Sequence, residues 1–515
     1  MINEIGRLLP DVIEGYKMVQ PYKEEGKSEV VYQKTAPKMV KRSVDVGSAS
    51  KLRTDLSALI EEMQVSDGMT LSFHHHLRNG DYVLNLVLEA IANKGIRDLT
   101  IAASSIFPVH APLVAHMESG VVTKIVSNYI AGPVAEAISH GKLQKAAIMQ
   151  THGGRPRAIE NGELMIDVAF IAAPVCDEYG NLSGTYGVKA CGSLGYATAD
   201  ACYAKLTVAV TDELVPYPAY DAEIGQENID FVLKVDSIGD PKGIVSGTTK
   251  ITRDPIGLEI AEQTVSVIEA SGYLKNGMSF QTGAGGTSLA VAHFLSEKMA
   301  EKQIVGSFIS GGITGYLVSL LEKAQFNTLM DVQCFDLEAV RSLRENKNHQ
   351  RMSASKYGNP WNKGAVVDLL DVVILGATEI DLDFNVNVTT GSDGVIMGGS
   401  GGHSDTAAGA KMTVIVSQLM KGRKPIVVER VTTATTPGST IDVLVTERGI
   451  AVNPKRADIV EALEAAGIPC VSIAHLKELA ESITGTPEPV KHGDKVVAVV
   501  EYRDGSVMDV VYSVL

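Results

Sequence analysis

The stretch SFHHHLRNGDY (72–82) sets three histidines and an arginine into a five-residue window, just after a short apolar run that reads as a strand. Three consecutive imidazoles cannot all face one metal ion from a regular helix or strand, so no metal is expected there. The set suits a multiply charged carboxylate better. Arg78 can fork onto one carboxylate while His74, His75 or His76 donates to another. HGGRPRAIENGE (152–163) carries a similar, weaker signal, with Arg155 and Arg157 beside a glycine pair.

Two glycine clusters offer backbone amides. In QTGAGGTSLAVAHFL (281–295), Gly283, Gly285 and Gly286 leave a strand and open a helix, where bare amides favour a phosphate or an oxyanion. A tight strand-to-helix turn with no ligand is the alternative. The cluster lacks the last glycine of a dinucleotide fingerprint, and no G-x-x-x-x-G-K-[ST] occurs in the chain. GVIMGGSGGHSDTAAGAK (394–411) holds Gly398, Gly399, Gly401 and Gly402 within five residues, a density that costs backbone entropy unless something must come close. GGSGG formally matches a nucleophile elbow at Ser400, yet none of the later histidines (His403, His475, His492) sits in a triad context. A backbone cradle for a thioester oxygen or a nucleotide is the better reading.

In LLDVVILGATEIDLDFNVN (369–387) an apolar strand ends at Gly376 and Glu379 follows at its carboxyl edge. Nucleophile, base and plain loop carboxylate all remain open for it. Asp381 and Asp383 read as ordinary polar loop positions. Glu447 and Arg448 in VTERGIAV (445–452) are equally well read as a structural ion pair.

The elements that must position these residues alternate between strand and helix. Strands are expected at MTLSF (69–73), DLTIAA (98–103), KAAIMQ (145–150), DVAFIAA (167–173) and LTVAVT (206–211), with a helix over DYVLNLVLEAIANKG (81–95) ending on a glycine cap. The pattern then repeats. The segments beginning at Asp67, Met165 and Ala204 lie over those beginning at Asn276, Leu369 and Ala410, at offsets of 209, 204 and 206 residues. Three matches in one order indicate a duplicated domain. The expectation is two tandem, open, mostly parallel α/β domains over 51–240 and 241–515, with a seam in VDSIGDPKGIVSG (235–247). Residues 1–50, rich in charge at YKEEGKSE and KMVKRS, read as a peripheral arm, and the C-terminal KVVAVVEYRDGSVMDVVYSVL reads as a hairpin turning at Asp504-Gly505. Open parallel sheets bind ligands beyond their strands' carboxyl ends, which puts the site between the halves.

A formal net charge of −15 over 515 residues argues against a nucleic-acid surface, though not against a small anion. The five cysteines form no C-x-x-C, no apolar run reaches the ~18 residues of a membrane span, and MINEIGRLLPDVIEGYK has no continuous apolar stretch of signal-peptide type. A soluble, cytoplasmic protein is expected.

The tandem α/β halves, the glycine turn opening the second and GATEIDL before a glycine cluster resemble the CoA-transferase superfamily. SFHHHLRNGD, THGGRPRAIENGE, APVCDEYGN, GVIMGGSGGHSDTAAGAK and VTERGIAV together resemble the citrate lyase α-subunit family, from about residue 40 to about 485. That resemblance implies citrate CoA-transferase activity: the acetyl thioester of an acyl-carrier (γ) subunit's CoA-like prosthetic group exchanges with citrate, giving citryl thioester and acetate. A β subunit then cleaves the citryl group to oxaloacetate. Free acetyl-CoA is expected to substitute for the carrier, no metal is required, and the chain is expected to be a homo-oligomer within its complex. The resemblance aligns Glu379 with the covalent glutamate of relatives that work through a glutamyl thioester, whereas this branch works by direct attack. Gly283, Gly285, Gly286, Gly398, Gly399, Gly401 and Gly402 would hold the thioester; His74, His75, His76, Arg78 and Arg155 would hold citrate. The rival readings are an acyl-CoA hydrolase or a CoA transferase for another acid using Glu379 covalently, and a scaffold that only docks the other subunits.

Overall fold

The computed structural model describes residues 1–24, 35, 50–245, 250–283 and 285–515. In the first half the chain forms β1 (Leu52–Arg53), β2 (Thr70–Phe73), β3 (Leu99–Ala103), β4 (Val122–Ser127), β5 (Ala147–Met149) and β6 (Val168–Ala172). A small hairpin, β7 (Val175–Cys176) and β8 (Leu182–Ser183), precedes β9 (Leu206–Thr211) and β10 (Phe231–Lys234). The second half supplies β11 (Phe280–Thr282), β12 (Gly306–Ile313), β13 (Phe326–Cys334), β14 (His349–Arg351) and β15 (Val372–Leu375). Short strands β16 (Glu379–Asp381) and β17 (Val386–Asn387) follow, then β18 (Met412–Val416), β19 (Met420–Lys421), β20 (Lys424–Pro425) and β21 (Val427–Val428). The chain closes with β22 (Val443–Thr446), β23 (Gly449–Val452), β24 (His492–Glu501) and β25 (Val507–Val514).

The first sheet runs β1-β10-β9-β6-β2-β3-β4-β5-β24-β25 and the second β14-β13-β12-β11-β15-β18-β22-β23. Seven strands share one order: β10-β9-β6-β2-β3-β4-β5 corresponds to β22-β18-β15-β11-β12-β13-β14. The three repeated segments fall on β2/β11, β6/β15 and β9/β18, as a duplicated unit requires. All pairings among these seven are parallel in both sheets. Their central strands are apolar on both faces because helices cover both sides, and VAFIA, VVIL and MTVIV are buried throughout. Parallel neighbours need crossovers, and the helix Val83–Asn93 is one, closing on Gly95 in the left-handed region at φ +75°.

Two expectations need correction. The C-terminal hairpin turns at Asp504-Gly505, but it does not join the second half. β24 pairs with β5 in parallel and β25 becomes the edge of the first sheet. Its counterpart β14 ends the second sheet uncovered by such an addition, so the hairpin satisfies an edge that β5 would otherwise expose. Nor is the N-terminal arm peripheral where it is described. Leu9, Ile13 and Val19 are buried with Ala146, Val499, Val507 and Val510, and the Val507 amide donates to the Gln20 carbonyl at 2.7 Å. The charged stretch 25–34 and all of KMVKRS lie outside the described residues.

This packing makes a checkable demand. Leu9→Ala should lower the stability of the first half by about 2–5 kcal/mol, the cost of truncating a buried leucine, read as a drop in thermal midpoint. An unchanged midpoint would return the segment to the periphery.

Candidate active site

The carboxyl ends of the two sheets face each other, and the loops leaving them meet. The loop after β2 carries His74, His75, His76 and Arg78. Arg78 sits in a three-residue turn at φ +51°, and its guanidinium lies 5.4 Å from the Phe107 ring of its own half and 4.6 Å from the Phe335 ring of the other. No carboxylate among the described residues pairs with it. Burial lowers its pKa, with Tyr129 and Tyr196 partly opposing that effect. A desolvated cation without a counter-ion is costly, so an anion placed here would gain more from pairing than one at the surface.

The histidine triplet divides. His74 and His76 stack at 5.6 Å, and their ring nitrogens have no hydrogen-bond partner among the described residues, although His74 Nε2 lies 3.8 Å from Asp200. Burial holds His74 down to about 4 and His76 well below its ordinary value, so both are neutral. His75 turns the other way, as alternation along an extended segment dictates. Its Nδ1 lies 2.5 Å from Ser104 Oγ, and its ring packs 4.9 Å from Tyr196 and 6.3 Å from His152. Arg155, expected at the ligand, is instead committed to structure. Both its terminal nitrogens donate to Asp200 at 2.7 Å, and one also reaches the Ala102 carbonyl. Arg157 is similarly engaged, forked onto Glu163 and stacked on Trp361.

His152 belongs with His75 and Arg78, and sequence reasoning missed it. It leads HGGRPR, where the arginines drew attention, although its place directly after β5 was the available signal. Its ring lies 4.7 Å from Tyr196, and burial together with the charges of Arg155 and Arg78 holds its pKa down to about 3. Phe107, Tyr196 and Phe335 were missed as well, because no local motif marks them.

The second half brings its glycine cluster to this place. A Cβ on Gly399 would collide with the Asn128 carbonyl, and one on Gly402 with the Tyr357 hydroxyl. Gly401, at φ +51°, donates to the Asn128 carbonyl and accepts from the His152 amide at 2.8 Å. At Gly399 the glycine is demanded by the close approach of one half to the other, and at Gly402 by packing within the second half. The amides of Gly399, Ser400 and Gly402 find no acceptor among the described residues. Ser400 Oγ donates to Ser404 Oγ, and His403 is engaged with Thr436 Oγ1 and the Gly376 carbonyl, so no Ser–His pair forms at the elbow-like GGSGG. A buried carboxylate clamps the junction: Asp405 accepts from Thr151 Oγ1 and from the Gly153 amide, both at 2.8 Å, with Arg503 Nε of the hairpin 3.9 Å away.

The other glycine turn lies beside β15. The Gly283 amide donates to the Ile374 carbonyl at 2.7 Å, and the Gly286 carbonyl accepts from Thr252 before the helix Gly286–Lys302 begins. Gly376, which follows β15, is the residue His403 reaches.

Glu379 is placed differently. It is buried in β16 and fully hydrogen-bonded, accepting from Asn387 Nδ2 at 2.9 Å, the Thr432 amide at 2.7 Å and Thr432 Oγ1 at 3.0 Å. It lines a cavity of about 1000 Å³ with Arg7, Thr432, Thr433, Asp509 and Tyr512, and none of the residues around Arg78 lines that cavity. Asp381 is a turn cap, accepting from the Asp383 and Asn385 amides. Glu447 accepts from the Leu419 amide, with Arg448 3.9 Å away and exposed, which is the structural reading of that pair. Among the described residues no group of His, Cys, Asp and Glu has the arrangement of a metal site. No helix among them is long and apolar enough to cross a membrane.

The chain is similar to known proteins in sequence and fold. The family model described as citrate lyase, alpha subunit (CitF) matches residues 49–514. The citrate lyase alpha chains of Klebsiella pneumoniae and of Escherichia coli K12 are each 50% identical over 464 residues, spanning 90% of this chain and 91% of each relative. A Streptococcus mutans structure described as the alfa subunit of citrate lyase in complex with citrate matches at a TM-score of 0.95 and 46% identity, covering 100% of both chains. A Pseudomonas malonate decarboxylase hetero-tetramer in complex with malonate matches at a TM-score of 0.64 and 16% identity, over 84% of this chain and 86% of that one, a likeness of fold alone.

The Asp405 clamp carries a pH signature. Burial raises its carboxyl to about 6, above an unfolded value near 3.9. The stability this contributes is complete below about pH 4, where both states are protonated, and is lost as pH rises through about 6. Against the non-titrating Asp405→Asn, the wild type should therefore lose roughly 3 kcal/mol of relative stability between pH 4 and 7. Thermal midpoints compared across that window test it, and a pH-independent difference would refute the assignment.

Proposed function

Since the chain belongs to the citrate lyase α-subunit family, we propose that it is the citrate CoA-transferase component, exchanging the acetyl group of a thioester for citrate at the crevice between its halves. The observation that carries this reading is Arg78: an unpaired, desolvated guanidinium between two aromatic rings, one from each half, beside neutral His75 and His152. Citrate brings three carboxylates, and this is a place where one of them gains a charge-assisted pair that nothing in the protein supplies.

The thioester partner in this reading is the CoA-like prosthetic group of an acyl-carrier γ subunit, with free acetyl-CoA as substitute, and a β subunit consumes the citryl product. A citrate carboxylate oxygen attacks the acetyl carbon, and the C–S bond of the tetrahedral adduct breaks, releasing thiolate and leaving an acetyl–citryl mixed anhydride. The thiolate then attacks the citryl carbonyl and acetate departs. The developing oxyanions need donors, which the acceptor-free amides of Gly399, Ser400 and Gly402 can provide. In this reading the glycine turn at Gly283, Gly285 and Gly286, whose Gly283 amide is given to the Ile374 carbonyl, would hold another part of the thioester substrate.

The covalent alternative, through Glu379, has less support. A nucleophilic carboxylate must be free to approach a carbonyl, and this one accepts three hydrogen bonds and faces another cavity.

The test is to mix the purified chain with acetyl-CoA and citrate and look for citryl-CoA and acetate. Arg78→Ala should raise the KM for citrate by roughly 10- to 150-fold, the loss of about 1.5–3 kcal/mol for a hydrogen bond to a charged group, while that for acetyl-CoA stays near wild type. Equal losses for both substrates, or none, would remove Arg78 from the citrate site.

A further inference from the structure

Building on the exchange reading above, we propose that His152 is the uncharged donor that receives the thioester carbonyl oxygen as negative charge builds on it. The hydrogen-bond network fixes which ring nitrogen carries the proton. Asn128 Nδ2 donates to the Thr151 carbonyl at 2.7 Å, and turning that amide over would set oxygen against oxygen. The same Nδ2 lies 3.1 Å from His152 Nδ1, so Nδ1 is the acceptor and the proton resides on Nε2.

That Nε2–H has no acceptor among the described residues, on a ring held between His75 and Tyr196. Directly before it is the space Gly401 leaves empty: a Cβ there would stand 3.3 Å from Nε2. The amides of Gly399, Ser400 and Gly402, also without acceptors, belong to the same loop. The Nε2–H of His152 thus faces the glycine loop whose amides at Gly399, Ser400 and Gly402 have no acceptor among the described residues.

Neutrality suits the task. A cation at this position would pair with citrate's attacking carboxylate and blunt it. A neutral N–H interacts weakly with the ground-state carbonyl and strongly with the oxyanion formed when the carboxylate oxygen bonds to the acetyl carbon and the C=O π pair moves onto oxygen. When that pair returns, the C–S bond breaks and the sulfur departs as thiolate. Arg78 holds the spectator charge; His152 answers the charge that appears only during reaction.

Three variants of the full-length chain, assayed with acetyl-CoA and citrate, test the assignment. His152→Ala should lower kcat by about 10²–10³-fold with the KM for citrate changed little. His152→Phe keeps the ring in its stack without the donor and should fall as far, which separates loss of the donor from loss of packing. His152→Gln sets an amide N–H where Nε2–H was and should keep kcat within about tenfold of wild type. Wild-type kcat in the phenylalanine variant, a glutamine variant as slow as the phenylalanine one, or a loss confined to the KM for citrate would each overturn the proposal. Absence of exchange in the wild-type chain would instead defeat the exchange reading itself.

Discussion

Everything at the crevice follows from how closely the Gly398–Gly402 backbone is pressed between the two halves. On one side it meets the Asn128 carbonyl and pairs with Thr151 and His152; on the other it meets Tyr357, with no room for a Cβ at Gly399 or Gly402. The contact has to be backbone to backbone, because a side chain at Gly399 or Gly402 would hold the packed surfaces apart. Asp405 holds it shut by accepting from Thr151 and Gly153 while Arg503 of the hairpin stands behind. The C-terminal hairpin, added to the first sheet, and the second half's glycine loop therefore meet at one junction.

That closeness decides the electrostatics. The chain as a whole carries a formal charge of −15, yet its crevice presents one unpaired cation and several neutral imidazoles. Removing water from Arg78 between Phe107 and Phe335 makes any anion that reaches it bind more strongly than it would at the surface. The same desolvation strips the proton from His74, His75, His76 and His152, so they act through hydrogen bonds and not through charge. In the proposed exchange, one fixed positive charge would orient citrate without saturating it and so leave a carboxylate free to attack.

Much of this was legible in the sequence because it is local. The repeats at β2/β11, β6/β15 and β9/β18 record a duplication that the strand orders repeat, and the glycine density at 398–402 signalled a close approach before its partner was known. What was not legible is set by contacts between distant segments. Whether the hairpin 492–514 joins the first or the second sheet depends on which edge is open, a property of the assembled halves. Arg155 and Arg78 look alike in sequence, and only the presence of Asp200 near one and of two phenylalanines near the other separates them. Glu379 sits at a strand end, as its position in the sequence suggested, but the three donors around it come partly from Thr432, far along the chain.

The central claim is that the acyl group passes between thioester and citrate in the crevice without residing on the protein. Borohydride reduces a glutamyl thioester, so it reports directly on such an intermediate. The chain incubated with acetyl-CoA alone, treated with borohydride and mapped by mass spectrometry should show Glu379 unmodified, and acetate should appear only once citrate is added. A reduced Glu379, with acetate released before citrate, would contradict the account.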